Sequence, residues 1–443
     1  MLNENIFRTY TFEEARQTIL RRRAPDAYDV PPAMQQRLAN LFGEPVTPDE
    51  AVRRILASIR EHGDSAVRDW TKRIDGIDLG DFAVPEADIE AALHAVPDDV
   101  LSAMKLAARR IKDFHRMQPV TKWVEQGVGQ LIRPLGRVGI YVPGGAAPLP
   151  SSLLMSAIPA RVAEVKEIVV CTPPGREDGK VPSVILAAAA LSGISKIYRI
   201  GGAQAVAAMA FGTVSVPRVD KIVGPGNLFV TLAKRQVFGM VGIDGLPGPT
   251  ETMVIADENA DPELAAADLL AQAEHDVLAA AILVTPSRQL AAAVTEAVRR
   301  QAVTLSRVET ITQSLQNQGG VIIVDDLKQA FEAANLYAPE HLCLLIENAR
   351  DWTGHVQNAG GVFLGEYSFE VLGDYVAGPS HVMPTSGTAR FASPLNVWDF
   401  VKITSLVDFD PETGKELSQI AAVLAHAEDL TAHAAAAEAR AKE

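Results

Sequence analysis

Nine short runs of β-branched and aliphatic residues, each followed by a stretch with helical spacing, constrain this chain more than any other feature. They are "RVGIYVP", "EIVVCTPP", "KIYRIGG" and "DKIVGPG", then "ETMVIAD", "AAILVTP", "GVIIVDD", "HLCLLIE" and "GGVFLGE". Antiparallel neighbours can be joined by a tight turn, whereas parallel neighbours need a long crossover, usually a helix. The alternation therefore predicts α/β architecture, with parallel sheet covered by helices on both faces. Nine strands are many for one compact sheet, and the Gly/Pro-rich stretch "GIDGLPGPTE" at 242–251 interrupts the series. Two incomplete, Rossmann-like units are expected. At 443 residues and 48% hydrophobic content, the chain can bury a core in each.

The flanks read differently. Residues 36–125 carry apolar positions every three or four residues among many charges, the pattern of a helical layer. Near the start, Thr11 and Glu14 form a capping box for a short helix, which "RRRAP" closes with cations at its negative end and Pro25 soon after. The Ala-rich end, "LSQIAAVLAHAEDLTAHAAAAEARAKE", is helical in composition, and its small apolar residues call for a closely packed partner surface.

Charge and cysteine usage exclude several function classes. Forty-one basic against 55 acidic side chains give a formal charge of −14, which repels phosphate backbones and anionic membranes. Nucleic acid and membrane are therefore not expected as partners. The longest aliphatic stretch, "VILAAAAL", is far short of the ~18 residues that suggest a membrane span, and the first residues lack an apolar signal core. A cytoplasmic protein is expected. Cys171 and Cys343 sit in apolar runs, as buried free thiols of a reducing compartment do.

Chemistry-bearing residues gather in a few places. In "DPELAAADLLAQAEHD", Asp261 can cap a helix with Pro262 in its first turn, running to about His275. Asp268, Gln272 and His275 then share one stripe, either as a solvated helix face or with Gln272 and His275 as ligands of a borderline metal ion. "YAPEHL" places Glu340 and His341 at the entrance to a strand, as a surface pair or as two proton-transfer groups. "VLGDYVAGPSHVMPTSGTARF" adds Asp374 and His381 in a long polar loop, and "EDLTAH" adds Glu428 and His433. Three glycine-bearing turns, in "GRVGIYVPGGAAPLPSS", "IGGAQAVAAMAFG" and "VGPGNLFVTLAKRQVFG", let backbone N–H groups approach a phosphate, although none is a G-x-G-x-x-G. Three in succession favour a nucleotide site.

As an ordered set these stretches resemble the histidinol dehydrogenase family, across roughly residues 35–440. The resemblance implies that Gln272, His275, Asp374 and His433 hold one zinc ion, with His433 reaching the partner's site in an intertwined homodimer. It implies a small amino-alcohol substrate, L-histidinol, oxidised through the aldehyde to L-histidine by two molecules of NAD in turn. His341 would be the base and Glu340 the residue that activates water for the second step. Thr250, Gln272, His275, His341, Asp374, Glu428 and His433 would contact substrate, and Tyr141, Gln204 and Asn227 the NAD. The implied domains are an N-terminal helical segment, 1–35, and a first α/β domain, 36–140 with 251–390, carrying most of the zinc and acid–base site. An NAD-binding domain, 141–250, and a C-terminal helical segment, 391–443, complete them. The chain departs from the family in "GPTE" for "GPSE", "YSFEVLGDY" for "YSPE-AGDY" and "GPSHVMPT" for "GTNHVLPT". Those departures leave open another small polar alcohol, such as a sulfonated diol, as substrate.

Overall fold

A computed structural model describes residues 6–22, 30–144, 148–175 and 177–442. Pro25, the expected stop of the first helix, lies outside the described residues. The capping box is present: Thr11 Oγ1 accepts from Glu14 N–H at 3.3 Å, and Glu14 accepts from Thr11 N–H at 2.8 Å. By internal contacts the chain divides into two units, residues 1–117 with 136–400, and 118–135 with 401–443.

The strands, in chain order, are β1 (Thr9–Thr11), β2 (Trp123–Glu125), β3 (Val128–Pro134), β4 (Arg137–Tyr141), β5 (Glu167–Thr172), β6 (Lys196–Arg199) and β7 (Lys221–Val223). There follow β8 (Gly242–Ile243), β9 (Glu251–Ala256), β10 (Ala280–Thr285), β11 (Gly320–Ile323), β12 (His341–Leu345), β13 (Gly361–Leu364) and β14 (Val401–Val407). The first unit contains a six-stranded sheet ordered β1-β11-β10-β9-β12-β13 and a five-stranded sheet ordered β6-β5-β4-β7-β8. Every pairing in both is parallel. All nine apolar runs became strands, divided at the Gly/Pro-rich stretch. Each sheet also gained a short edge strand, β1 or β8, whose partly exposed residues give no apolar run.

Alternation of side chains explains why the central strands are apolar throughout. Val254, Leu283, Val321 and Cys343 point to one face of the six-stranded sheet, under the helices Pro262–Ala273, Arg288–Ala302 and Val308–Gln318. Met253, Ile282, Ile322 and Leu342 point to the other, against the helix Leu327–Tyr337. Strands buried on both faces need apolar residues at both phases of the period-two repeat.

The helices Pro48–His62 and Asp64–Asp75 share a core with the helices Gly202–Phe211 and Leu228–Val237 that cover the five-stranded sheet: Val52, Ile55 and Trp70 pack with Val206, Met209 and Val230. This differs from the expected domain of 36–140 with 251–390, in which these helices would cover the other sheet. An apolar stripe says that a helix must be covered, but not by which sheet.

In the second unit, β14, β3 and β2 form an antiparallel sheet, and the helices Pro411–Ala427 and Thr431–Ala441 follow. Gln126 (φ 50°) and Gly127 (φ 75°) make the two-residue turn between β2 and β3, with both residues left-handed as a type I′ hairpin turn requires. The expectation of a wholly helical segment from 391 is corrected by β14, a seven-residue strand paired along its length with β3. Most of its residues are exposed, so it lacks the buried alternation that marks a strand.

Candidate active site

The crossover helix Pro262–Ala273 begins where the sequence places it, with Asp261 accepting from Glu263 N–H at 2.8 Å. Because it returns from the end of β9 to the start of β10, its last turn arrives at the amino edge of the six-stranded sheet. His341 opens β12 at that same edge, paired with Thr252. Asp268 and Gln272 are buried rather than solvated, and the Gln272 amide lies 2.9 Å from His341 Nδ1. His275, just past the helix end, is exposed, and its Nδ1–H donates to Ala271 O at 3.0 Å, leaving Nε2 free.

Seven more contacts define the cluster. His341 Nδ1 is 3.1 Å from the Glu251 carbonyl oxygen. A carbonyl only accepts, so that hydrogen bond puts the hydrogen on Nδ1, toward which the Gln272 amide can then present only its oxygen, and leaves the exchangeable position at Nε2. Nε2 is buried, has no hydrogen-bond partner among the described residues and lies 3.6 Å from Asp374 Oδ1. Glu340 Oε2 sits 3.7 Å from Nδ1 and accepts from the Thr250 hydroxyl at 2.6 Å and from Glu251 N–H at 3.1 Å. His381 donates from Nδ1 to Asp374 O at 2.9 Å and places Nε2 3.4 Å from Ser152 Oγ.

Burial and charge then set the proton distribution. Burial disfavours a charged His341, but the Glu340, Glu370 and Asp374 carboxylates outweigh it and push the ring up to about 10. Burial pushes Glu340 up to about 7 despite the pull of His341 and Thr250. It also pushes Asp268 up to about 7 and Glu370 up to about 8. Asp374 is held below its usual range, because His341 beside it outweighs its burial. Both cysteines are buried and free, and burial raises both thiols, so neither is a ready nucleophile.

Two supporting residues escaped the sequence reading. Arg22, read only as a cation near a helix end, is ion-paired with the buried Glu251 and donates to Tyr337 O at 2.8 Å, with its guanidinium 3.5 Å from the centre of the Tyr337 ring. Glu370, at the start of the short helix Glu370–Tyr375 that carries Asp374, is 1% exposed and close to His341, Asp374 and Thr252. An acidic residue among "YSFE" gave no local sign of that burial.

The glycine-bearing turns meet at the carboxyl edge of the five-stranded sheet. Tyr141 ends β4 and its hydroxyl accepts from Gly202 N–H at 3.2 Å. Asn227 caps the helix Leu228–Val237, accepting from Phe229 N–H at 3.1 Å and Val230 N–H at 3.2 Å. Gln204 and Asn227 line a cavity of about 710 Å³ together with Phe42 and Phe229. Gly224 (φ 107°) permits the tight turn after β7, since a Cβ there would fall 2.2 Å from the Tyr141 carbonyl oxygen.

The six-stranded sheet reverses its strand order between β9 and β12, the usual place for a nucleotide. The crevice there, a cavity of about 490 Å³, is lined by carboxylates that repel a phosphate. Asp257 accepts from Asn259 N–H at 2.9 Å and Glu347 N–H at 2.6 Å, and Glu366 accepts from Asp261 N–H at 2.7 Å. Those N–H groups are the ones an anion would otherwise use.

The donor set fits a borderline metal. Gln272 and Asp374 both flank His341, and His275 is close enough for its charge to act on Asp374. An amide, an imidazole and a carboxylate thus share one edge, and an amide can present either its oxygen or its nitrogen. Among the described residues no three His, Cys, Asp or Glu side chains form a metal-holding group, and this set contributes only two of those types from the first unit. Glu428 and His433 belong to the second unit, where both are exposed, so the cluster above is assembled without them.

A family model described as histidinol dehydrogenase matches residues 44–441. The chain belongs to the histidinol dehydrogenase family and is an oxidoreductase. It is 52% identical over 419 residues to a histidinol dehydrogenase of Deinococcus radiodurans, covering 93% of this chain and 95% of that one. A histidinol dehydrogenase of Moorella thermoacetica is 51% identical over 396 residues, covering 88% and 93%. The crystal structure of histidinol dehydrogenase from Elizabethkingia anophelis superposes with a TM-score of 0.89 at 36% identity, covering 99% and 98%. The α/β fold with parallel, Rossmann-like sheets is therefore that of the family. No helix among the described residues is long and apolar enough to cross a membrane.

Proposed function

We propose that the protein oxidises L-histidinol to L-histidine through the aldehyde, consuming two NAD⁺ in turn, as a zinc-dependent homodimer of the cytoplasm. The observation that carries this reading is His341 Nε2, a buried nitrogen without a hydrogen-bond partner among the described residues, framed by Gln272, Glu340 and Asp374. When bound, zinc supplies a positive anchor for the substrate's amine and imidazole, and NAD⁺ supplies the hydride acceptor. Gln272, His275 and Asp374 would hold the metal from one subunit, and His433 from its partner.

Each oxidation removes a hydride from carbon and a proton from oxygen. His341 takes that proton at Nε2. Three carboxylates hold a proton on this ring at rest, and engagement of the Asp374 charge by a cation weakens that hold. Glu340, close to neutrality and fixed by the Thr250 hydroxyl and the Glu251 N–H, orients the water that hydrates the aldehyde. Glu428 would reach the substrate across the dimer, and Tyr141, Gln204 and Asn227 the dinucleotide. The exposed apolar residues Ile420, Val423 and Leu424 of the second unit suit a protein surface as their cover.

Purified protein given histidinol and NAD⁺ should form two NADH per histidinol. Silence with histidinol, together with NADH from a sulfonated diol or another small polar alcohol, would replace the substrate while keeping the chemistry.

A further inference from the structure

Gln204 is fully buried, yet its side-chain oxygen has no hydrogen-bond partner among the described residues. Its nitrogen donates to Asp75 Oδ2 at 3.3 Å. A carboxylate only accepts, so Asp75 settles which end of the amide faces it and turns the oxygen the other way. Gly202 leaves room for that oxygen, since a Cβ there would lie 2.7 Å from it. Gly202 and Gln204 both line the 710 Å³ cavity with Phe42, Ile74, Asn227 and Phe229. A buried, unpaired acceptor at a cavity wall is costly unless a ligand brings a donor to it.

None of the residues around His341 lines this cavity, so it suits the part of a dinucleotide remote from the transferred hydride, the adenosine half. The donors on that half are the ribose hydroxyls and the adenine amine. We propose that Asp75 is a positioning residue for the cofactor, holding the Gln204 amide so that its oxygen accepts from the ribose 2′-hydroxyl or the adenine amine. This inference rests on the dinucleotide reading above. A 2′-phosphate offers no such donor at neutral pH and brings negative charge toward Asp75, so the same arrangement disfavours NADP⁺.

The test is calorimetric titration of the full-length protein and its Asp75→Asn variant with NAD⁺, NADP⁺ and nicotinamide hypoxanthine dinucleotide, which lacks the adenine amine. Asparagine can donate as well as accept, so the Gln204 amide is free to turn over. The variant should bind NAD⁺ about tenfold more weakly, with KM for NAD⁺ raised and kcat at saturating NAD⁺ unchanged. The dinucleotide lacking the relevant donor should lose no affinity in the variant: NADP⁺, no longer repelled by Asp75, should bind it at least as tightly if the donor is the ribose 2′-hydroxyl, and the hypoxanthine analogue should bind both proteins equally if it is the amine. Gln204→Leu, which deletes the acceptor, should reproduce the pattern should Asp75→Asn fold poorly. Equal NAD⁺ affinity in wild type and variant, or an equal loss for all three dinucleotides, overturns the role of Asp75. Failure of the unmodified protein to bind NAD⁺ overturns the dinucleotide reading with it.

Discussion

His341 shows how a single side chain acquires a role from its surroundings. An imidazole at the first residue of a buried strand would ordinarily lose its proton, because burial opposes charge. Here three carboxylates reverse that outcome, while the Glu251 carbonyl and the Gln272 amide occupy Nδ1 and leave Nε2 open. His341→Ala should lower kcat by about two to four orders of magnitude with zinc content unchanged, measured by NADH formation and elemental analysis. Unchanged turnover would remove His341 from the mechanism. Arg22 is a structural counterpart: its removal leaves Glu251 buried and unpaired beside the site. Arg22→Ala should cost about 3 kcal/mol in urea unfolding. Adding Glu251→Gln to that variant should recover part of the loss, and simple additivity of the two costs would contradict a direct pair.

At the scale of elements, the site depends on where one helix ends. Asp261 and Pro262 fix the start of the helix, and the distance it travels back along the sheet sets Gln272 beside His341 and His275 beyond the last turn. Loss of the cap in Asp261→Ala should cost about 1 kcal/mol and speed hydrogen exchange at the Glu263 amide. Exchange at Glu263 as slow as in the parent would mean that the helix start is held by something other than Asp261. The two sheets also divide the work by their edges. The five-stranded sheet offers a cavity with helix N-termini at its carboxyl edge, whereas the six-stranded sheet lines the equivalent crevice with Asp257 and Glu366 and builds its acid–base cluster at the opposite edge.

For the whole molecule, the proposed sharing of sites between subunits has a direct check. His341→Ala and His433→Ala should each be inactive alone. Co-expressed, they should form mixed dimers in which one site joins an intact His341 to an intact His433, so activity returns. A pair of dead enzymes that stays dead when mixed would place His433 outside a shared site.

Local pattern alone determined much of this. The nine apolar runs, the capping box at Thr11, the cap at Asp261 and the buried free cysteines follow from nearest-neighbour chemistry, and each is found in the structure. The ordered motifs also named the residues that meet at His341, though spacing by itself left Gln272 and His275 divided between a solvated face and a ligand pair. What only the tertiary structure decided is which sheet the helices of 48–75 cover, that residues 401–407 pair with 128–134, and that Arg22, Glu251 and Glu370 surround the site. The reason is physical: periodicity reports that a face will be buried, whereas partner and protonation state depend on groups brought close from hundreds of residues away.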